Sequence, residues 1–373
     1  MDKFSIQNLY YQWWKNVDKF LFSLIILLFF IGLFFSLVST SLIVSDKLNT
    51  NNYSFFFKHL IFIILGIGII FTFSVINQEN LLKISMVVFF LSILFLFLVP
   101  FFGIEVKGSK RWIDLYLLPR FQPIELVKPF LIIFISIILS SEKYSNIYFK
   151  YLLSFLLTLL IVLLLALQPD IGQTLLILFT WSILIFTSGI NLIFLLILFL
   201  ILISCLSYLI IFVPKFEYIK NRILSFFDKE TGTHNFQSDK AIESISSGGF
   251  FGKGIGEGTL NSKIPEAHTD YIVSVISEEF GIIVIFLIML SLIFFEFNIF
   301  NKIRYLKDDL FKLILIGLIS LLMMQAFVHI GVNLRVLPTT GMTLPFLSYG
   351  GSSIISISII SGIILNLTKR RIY

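Results

Sequence analysis

A short polar segment at the edge of an apolar run contains side chains that can perform acid–base chemistry. The segment PEAHTDY (265–271) places His268 and Asp270 directly before the apolar run IVSVIS. A carboxylate in this position can reach both water and a bound hydroxyl group, so Asp270 is a candidate general base. His268 can orient or assist the same group, or it can serve only as a hydrogen-bonding group within the loop.

Two further segments place charged residues next to or inside apolar runs. In QPIELVK (122–128), Glu125 and Lys128 are three residues apart, so they share one face of a helix and can pair. In LQPDIGQT (167–174), Asp170 precedes an apolar helix and can cap its first backbone N–H groups. Charges within a membrane segment cost several kcal/mol, at least about 2.5, and often indicate a functional site. Alternatively, Glu125 and Lys128 only neutralise each other's charge, and Asp170 only caps the helix.

Basic and hydroxyl side chains supply groups that can bind an anion. The loop 101–123 contains Lys107, Lys110, Arg111 and Arg120, and an arginine can bind phosphate oxygens with two parallel hydrogen bonds. Ordinary solvation of the loop is the alternative. Near the C-terminus, LPTTGMTLPFLSYGGSS (337–353) offers the hydroxyls of Ser348 and Ser352. Its small residues can equally allow close helix packing.

The elements that must position these residues are transmembrane helices. Of the 373 residues, 57% are hydrophobic and 13% are charged, with a mean hydropathy of +0.98. Apolar runs long enough to cross a bilayer recur along the chain. We therefore predict an all-α polytopic membrane protein with about ten spans, at residues 20–44, 59–76, 81–100, 124–140, 151–167, 171–188, 192–213, 271–296, 311–334 and 345–367.

Basic residues predict the orientation of these spans. The N-terminal segment, the loop 298–312 and the C-terminal tail are rich in Lys and Arg, which is typical of the cytoplasmic side. Both termini are therefore expected in the cytoplasm, with residues 1–19 and 368–373 as tails and 20–367 as one membrane domain. The aromatic stretch YYQWW (10–14) favours an interfacial helix or a core-packing role. The loop 214–270, between spans seven and eight, is then extracytoplasmic.

Other motifs exclude several classes of protein. The glycine-rich run SGGFFGKGIGEG (247–258) lacks the Walker pattern, so tight packing of the loop on the membrane face is a better interpretation than a phosphate cradle. A ligand that contacts the glycine backbone is the alternative. The four histidines lack the spacing of a metal motif, and Cys205 is the only cysteine, which excludes disulfides within the chain. We expect no nucleic-acid partner.

The polar segments, in this order, resemble the SEDS family of membrane glycosyltransferases, which includes RodA, FtsW and SpoVE. The similarity extends from residue 108 almost to the C-terminus. PEAHTDY, LQPDIGQT and LPTTGMTLPFLSYGGSS are more similar to the FtsW branch. The chain departs from residues common in the family at Ile124, His329 and Arg335. The matching segments are GSKRWIDL, FQPIELVK, LQPDIGQT, QSDKAIESISSGGFFGKGIGEG, IPEAHTDYIVSVISEEFG and LPTTGMTLPFLSYGGSS.

The resemblance implies an activity on the outer face of the bacterial cytoplasmic membrane. The expected reaction joins lipid II molecules through β-1,4 bonds by an inverting displacement of undecaprenyl pyrophosphate, with Asp270 as the general base. Candidate substrate-binding residues are Lys110, Arg111, Glu125, Lys128, Asp170, His268, Ser348 and Ser352. Pyrophosphate chemistry favours Mg²⁺ or Mn²⁺, for which Glu125 and Asp170 are the candidate ligands.

The resemblance also implies partners and leaves competing functions. A class B penicillin-binding protein, which cross-links glycan strands, is the expected partner, together with other membrane proteins of division or elongation. A FtsW-like role in division is favoured over a RodA-like role in elongation. A lipid II flippase or another transporter is a separate possibility, because transporters also contain broken helices and intramembrane charges. A scaffold without chemistry is a further alternative, although it has no need of Asp270.

Overall fold

Helices make up most of the described structure, which is a computed structural model covering residues 6–41, 54–106, 109–114, 119–227, 236–260, 264 and 267–369. The described helices confirm the predicted all-α class. They are α1 (Ile6–Asn16), α2 (Lys19–Ser41), α3 (Ser54–Val75), α4 (Gln78–Phe102), α5 (Pro123–Ser140), α6 (Ile147–Leu167), α7 (Ile171–Thr187), α8 (Leu192–Phe212), α9 (Glu217–Phe227), α10 (Phe236–Gly248), α11 (Ile272–Phe280), α12 (Ile282–Ile303), α13 (Asp309–Asn333) and α14 (Gly351–Leu367).

Eight of the described helices are long and apolar enough to cross a membrane: α2, α3, α4, α5, α6, α8, α12 and α13. Two shorter apolar helices, α7 and α14, correspond to the sixth and tenth predicted spans. Each predicted span therefore has an apolar helix as its counterpart. The number of crossings and the orientation of the termini stay predictions.

Two predicted spans depart most from the observed helices, and glycine geometry explains one of these departures. Residues 42–44 of the first predicted span lie outside the described residues. The continuous span expected over 271–296 is broken at Gly281, which separates α11 from α12 and has φ of +81°. A Cβ atom there would lie 2.1 Å from the carbonyl oxygen of Phe250, so only glycine fits. The last span, expected from residue 345, begins at Gly351 because residues 345–348 form a turn.

The spans differ in how deeply they are buried. In the apolar stretch of α5, 78% of the residues are buried, whereas no residue in the apolar stretch of α8 is buried. The helix α5 lies at the centre, in contact with α4, α6, α7, α13 and α14, whereas α8 contacts α7 and the following α9. Among the eight long candidate spans, the helix that contains Glu125 and Lys128 is therefore the most deeply buried.

The predicted loop 101–123 contains a small hairpin. Its strands β1 (Ile104–Val106) and β2 (Ser109–Trp112) pair antiparallel, which orients Arg111 toward the helices. Lys107 lies outside the described residues, as do Arg370 and Arg371 of the C-terminal tail.

The N-terminal helix α1 has one buried and three exposed aromatic rings in YYQWW, and its interfacial position stays a prediction. The indole of Trp13 is buried and donates a 2.7 Å hydrogen bond to the hydroxyl of Ser74, whereas Tyr10, Tyr11 and Trp14 are exposed. One ring therefore fixes the helix to the bundle, and the others are available at its surface.

Candidate functional site

The backbone around Asp270 is held by three hydrogen bonds in succession. The carbonyl oxygens of residues 268–270 accept, in order, the N–H of Tyr349 at 3.1 Å, the hydroxyl of Ser348 at 2.8 Å and the side-chain amide of Asn333 at 2.9 Å. These donors come from the end of α13 and the turn before α14. The position of Asp270 is thus determined by segments more than sixty residues away in the sequence.

The half-buried carboxylate of Asp270 lies beside the loop that follows α13. A Cβ atom on Gly341 would be 3.7 Å from the Oδ2 atom of Asp270, and Gly341 has φ of +75°. The preceding Thr340 packs against Gly172 in the first turn of α7, where a Cβ atom would lie 3.1 Å from the Cβ of Thr340. The guanidinium of Arg222 donates to the carbonyl of Thr339 at 2.7 Å. The loop 339–341 therefore connects Asp270 to the start of α7.

The carboxylate of Asp170 caps α7, as the sequence predicts, and it also binds an arginine. Its Oδ1 accepts the backbone N–H of Gln173 at 3.3 Å, and its Oδ2 accepts the side-chain amide of Gln122 at 3.3 Å. The Nε atom of Arg111 is 3.5 Å from the same Oδ2, and its Nη2 donates to the carbonyl of Pro169 at 2.6 Å. Arg111 is anchored at the end of the helical bundle that holds Asp270.

The predicted pair of Glu125 and Lys128 forms inside the protein. Their charged atoms are 2.8 Å apart, and Lys128 is fully buried. The ammonium of Lys128 also donates to the side-chain oxygen of Gln325 at 3.3 Å, whose amide donates to the carbonyl of Thr343 at 3.0 Å. The charge of Lys128 is therefore compensated within a network that joins α5, α13 and the loop before α14.

Gln173 connects the two acidic residues. Its side-chain amide donates to Glu125 at 3.1 Å, while its backbone N–H is capped by Asp170. The pairs Arg111–Asp170 and Glu125–Lys128 therefore belong to one continuous polar network.

The two candidate serines bond to the backbone of neighbouring segments. The hydroxyl of Ser348 accepts the N–H of Leu344 at 2.8 Å while it donates to Thr269. The hydroxyl of Ser352 accepts the N–H of Gln122 at 3.0 Å, which joins α14 to the start of α5. Both side chains hold the site together, and their contact with a substrate stays a prediction.

The remaining two candidates lie at the edge of the site. Lys110 is exposed on β2, next to Arg111. The imidazole of His268 packs against the ring of Phe55 with a centroid distance of 4.7 Å and against Tyr349 at 5.8 Å. His268 therefore packs between two aromatic rings at the N-terminal end of α3.

The acidic residues proposed as metal ligands fit a divalent cation poorly. In the part of the chain that the structure describes, no group of three or more His, Cys, Asp or Glu side chains could hold a metal ion. Glu125 and Asp170 are each paired with a basic side chain, and only the Oε2 atom of Glu125 is buried without a hydrogen-bond partner. We derive no step through a metal, and the requirement for Mg²⁺ or Mn²⁺ stays a prediction.

A further acidic residue, Glu278 on α11, fixes the glycine-rich segment. Its Oε1 accepts the ammonium of Lys253 at 3.0 Å and the N–H groups of Thr259 and Leu260 at 2.9 and 3.1 Å, and its Oε2 accepts Ser244 at 3.1 Å. Burial raises the pKa of Glu278, but the hydrogen bonds from Leu260, Lys253 and Ser244 and the charge of Lys253 outweigh it. Its pKa therefore lies below the ordinary value.

The glycines of this segment allow close packing, as the sequence predicts, but against another helix, and packing on the membrane face stays a prediction. A Cβ atom on Gly248 would lie 2.0 Å from the carbonyl oxygen of Ser277, and one on Gly252 would lie 2.2 Å from that of Glu279. The packing surface is the helix α11.

Sequence reasoning missed Asn333, Gln173, Gln325 and Glu278. Each is a buried polar residue within or next to an apolar run, which is the signal that could have identified them. The unusual residues His329 and Arg335 also have partners. The Nδ1 atom of His329 is 2.7 Å from the carbonyl oxygen of Met342, and Arg335 pairs with Asp239 on α10.

Comparison with known proteins identifies similar chains over almost the full length. A profile of the cell cycle protein family FtsW/RodA/SpoVE matches residues 18–373. The probable peptidoglycan glycosyltransferase FtsW of Haemophilus influenzae is 31% identical over 360 residues, covering 94% of this chain and 90% of that protein. The protein of the same name from Caulobacter vibrioides is 29% identical over 362 residues, covering 96% and 91%.

Solved structures are similar as well. A chain of a peptidoglycan synthase complex, reported to coordinate polymerization and crosslinking, has a TM-score of 0.76 at 27% identity, covering 94% of this chain and 97% of that one. The rod shape determining protein RodA of Thermus thermophilus has a TM-score of 0.69 at 26% identity, covering 94% and 96%.

Proposed function

The chain belongs to the FtsW/RodA/SpoVE family of cell cycle proteins, and from this premise we propose that it is a peptidoglycan glycosyltransferase. It is a multi-pass protein of the bacterial cytoplasmic membrane. Its substrate in this proposal is lipid II, which it polymerises into β-1,4-linked glycan strands. The FtsW names of its relatives support a role in division over elongation.

The observation that carries the proposal is the position of Asp270. Its backbone is fixed through three carbonyl groups, while its carboxylate stays half-buried beside Gly341. A general base needs such a fixed frame, because proton transfer depends on hydrogen-bond reach to the reacting hydroxyl. Asp270 therefore accepts the proton of the 4-hydroxyl group of the acceptor sugar.

The reaction is a single direct displacement, and it needs no covalent bond between the substrate and the enzyme. The acceptor oxygen forms a bond to the anomeric carbon of the donor, and the bond from that carbon to the pyrophosphate oxygen breaks with its electron pair. The α-linked donor becomes a β-linked product, as a single inverting displacement requires. Undecaprenyl pyrophosphate leaves as the anion.

The leaving pyrophosphate needs positive charge, which the hairpin provides. The side chain of Arg111 is 18% exposed and anchored to Asp170, so its outer edge can contact phosphate oxygens. The exposed Lys110 supplies a second charge next to it. Contact between Lys128 and the substrate requires the network around Glu125 to open, because both residues are buried.

The transporter alternative is supported by one specific observation. The charged pair of Glu125 and Lys128 lies inside a candidate membrane span, where transporters often place their coupling residues. In the glycosyltransferase proposal, the same pair is the buried part of the polar network that holds Gln173 and Asp170. An assay that measures lipid II translocation and polymerisation separately distinguishes the two functions.

The proposal includes a partner, a cation and an orientation. A class B penicillin-binding protein is the proposed partner, and the similarity to a peptidoglycan synthase complex supports it. Both termini are proposed to be cytoplasmic and Asp270 to lie on the outer side, because the terminal segments and the loop 298–312 are rich in Lys and Arg. A requirement for Mg²⁺ or Mn²⁺ is tested by adding EDTA and then restoring each ion.

The decisive experiment is polymerisation of labelled lipid II by the purified protein, alone and with its cognate transpeptidase. Asp270→Asn is expected to abolish polymer formation while the protein keeps its melting temperature. The matched control is Asp239→Asn, at an aspartate that pairs with Arg335 on the surface, and it is expected to retain activity. Unchanged polymer yield from Asp270→Asn contradicts the base assignment. Translocation by the wild type without polymerisation contradicts the enzyme proposal.

A further inference from the structure

Three large apolar side chains are exposed in the segment that follows α10. Phe250, Phe251 and Ile255 are 71%, 84% and 63% exposed, and they lie outside every candidate membrane span. We call Phe250, Phe251 and Ile255 the apolar tip. An exposed group of this kind generally marks a binding surface, because apolar area is unfavourable in water.

The backbone of the segment is shaped to present the tip. The helix α10 ends at Gly248, and the flanking Gly249 and Gly252 have φ of +59° and +78°, which other residues rarely adopt. The close packing of Gly248 and Gly252 on α11 places this backbone against the helix. Both phenylalanines therefore project away from the protein.

Hydrogen bonds fix the tip at the beginning of a membrane span. The N–H of Ile282 donates to the carbonyl of Gly249 at 3.0 Å, and the N–H of Ile283 donates to that of Phe250 at 3.5 Å. Ile282 is the first residue of α12, a candidate span that runs to Ile303. The tip thus lies at the N-terminal end of this candidate span.

The surface next to the tip is apolar as well. On the first turns of α12, Ile282 and Ile283 are 37% and 40% exposed, and Phe286 and Leu287 are 62% and 56% exposed. Apolar side chains that are exposed on a candidate span are suited to contact with lipid. The tip is therefore continuous with the lipid-facing surface of α12.

The charge at the tip is compatible with lipid. No charged residue lies between Glu243 and Lys253, and the exposed Glu257 follows Ile255 by two residues. The ammonium of Lys253 is bound by Glu278 on α11. Little charge has to be desolvated when the phenylalanines enter an apolar phase.

We propose that the apolar tip inserts into the bilayer beside α12 and anchors the long loop to the membrane. Its ligand is the hydrocarbon region of the surrounding lipid. The anchor acts on the site through α11, which starts at Ile272, directly after Asp270 and Tyr271, and ends at Phe280 next to the tip. Membrane attachment at one end of α11 thus restrains the segment that contains the proposed base at the other end.

The single native cysteine allows a direct measurement of depth. In a Cys205→Ser background, a spin label is attached at Phe251→Cys in proteoliposomes, and its collision rates with oxygen and with a water-soluble nickel complex are compared. Leu287→Cys on α12 is the lipid-facing control, and Tyr305→Cys, at a residue that is 87% exposed after α12, is the aqueous control.

The proposal expects the label at Phe251→Cys to favour oxygen, as Leu287→Cys does. Nickel access equal to that of Tyr305→Cys overturns the proposal. Aqueous access in the protein alone, with protection only after the transpeptidase is added, also overturns it and identifies the tip as a protein-docking surface.

A second measurement separates anchoring from simple exposure. A label at Ile255→Cys reports on the segment when both phenylalanines are changed. Phe250→Ser with Phe251→Ser is expected to raise nickel access at this label severalfold, whereas Phe250→Leu with Phe251→Leu leaves it unchanged. Equal nickel access in the two double variants contradicts the anchor.

Discussion

The side-chain amide of Asn333, at the end of α13, donates a 2.9 Å hydrogen bond to the backbone carbonyl of Asp270. The same amide donates to the carbonyl of His329 at 2.9 Å, so one residue joins the last turn of α13 to the proposed base. Asn333 is fully buried, and replacing it leaves the carbonyl of Asp270 without this donor.

We expect Asn333→Leu to lower kcat for lipid II polymerisation by about tenfold and to destabilise the fold by about 1–3 kcal/mol, because a buried acceptor loses its donor. Steady-state polymerisation and thermal melting in detergent measure the two effects. The control is Asn298→Leu on α12, whose amide bonds only within its own helix. An unchanged kcat for Asn333→Leu would show that this hydrogen bond does not position Asp270.

Arg111 is expected to contribute to binding of the substrate pyrophosphate. Arg111→Ala removes a charged donor, so kcat/KM for lipid II should fall by about tenfold to a hundredfold. The matched control is Arg120→Ala, because Arg120 is an exposed arginine of the same loop that pairs with Asp114. Equal losses in the two variants would indicate a general effect of loop charge.

Gln173 is expected to couple the two ion pairs. A double-mutant cycle with Gln173→Leu and Lys128→Met should give a coupling energy of about 0.5–3 kcal/mol, because both residues bond to the same oxygen of Glu125. Unfolding free energies of the four proteins provide the measurement. Simple additivity of the two changes would mean that Gln173 does not belong to the network.

We expect the stability of the fold to depend on pH through the titration of Glu278. Its pKa is lower in the folded protein than the ordinary value of about 4.5, so its charge stabilises the fold above that range. The stabilisation is lost as the pH falls through the folded-state pKa. Glu278→Gln should therefore lower the melting temperature at about pH 7, and the difference from the wild type should shrink below about pH 4.5.

The control for this measurement is Glu243→Gln, at an exposed glutamate that pairs with Lys240. Its effect on the melting temperature is expected to be small, because surface ion pairs contribute about 0–1 kcal/mol. A constant difference between Glu278→Gln and the wild type across the pH range would contradict the proposed cause.

The residues predicted from local spacing were placed correctly. Glu125 and Lys128 are paired because three residues on a helix bring side chains to one face, whatever surrounds them. Asp170 caps α7 because a carboxylate before a helix accepts the first N–H groups. The apolar runs likewise indicated the helices, because length and hydropathy are properties of the run itself.

The tertiary structure alone decided which of these local features meet. The hydrogen bond from Asn333 to Asp270 spans 63 residues, and that from Gln173 to Glu125 spans 48. The break at Gly281 depends on the glycine-rich segment packed against it, which no periodicity within 271–296 indicates. Long-range contacts of this kind follow from how the helices pack, and in a membrane protein nearly every helix has a similar apolar pattern. The amino-acid sequence therefore determined the helices, the cap and the ion pair, whereas the packing determined the site.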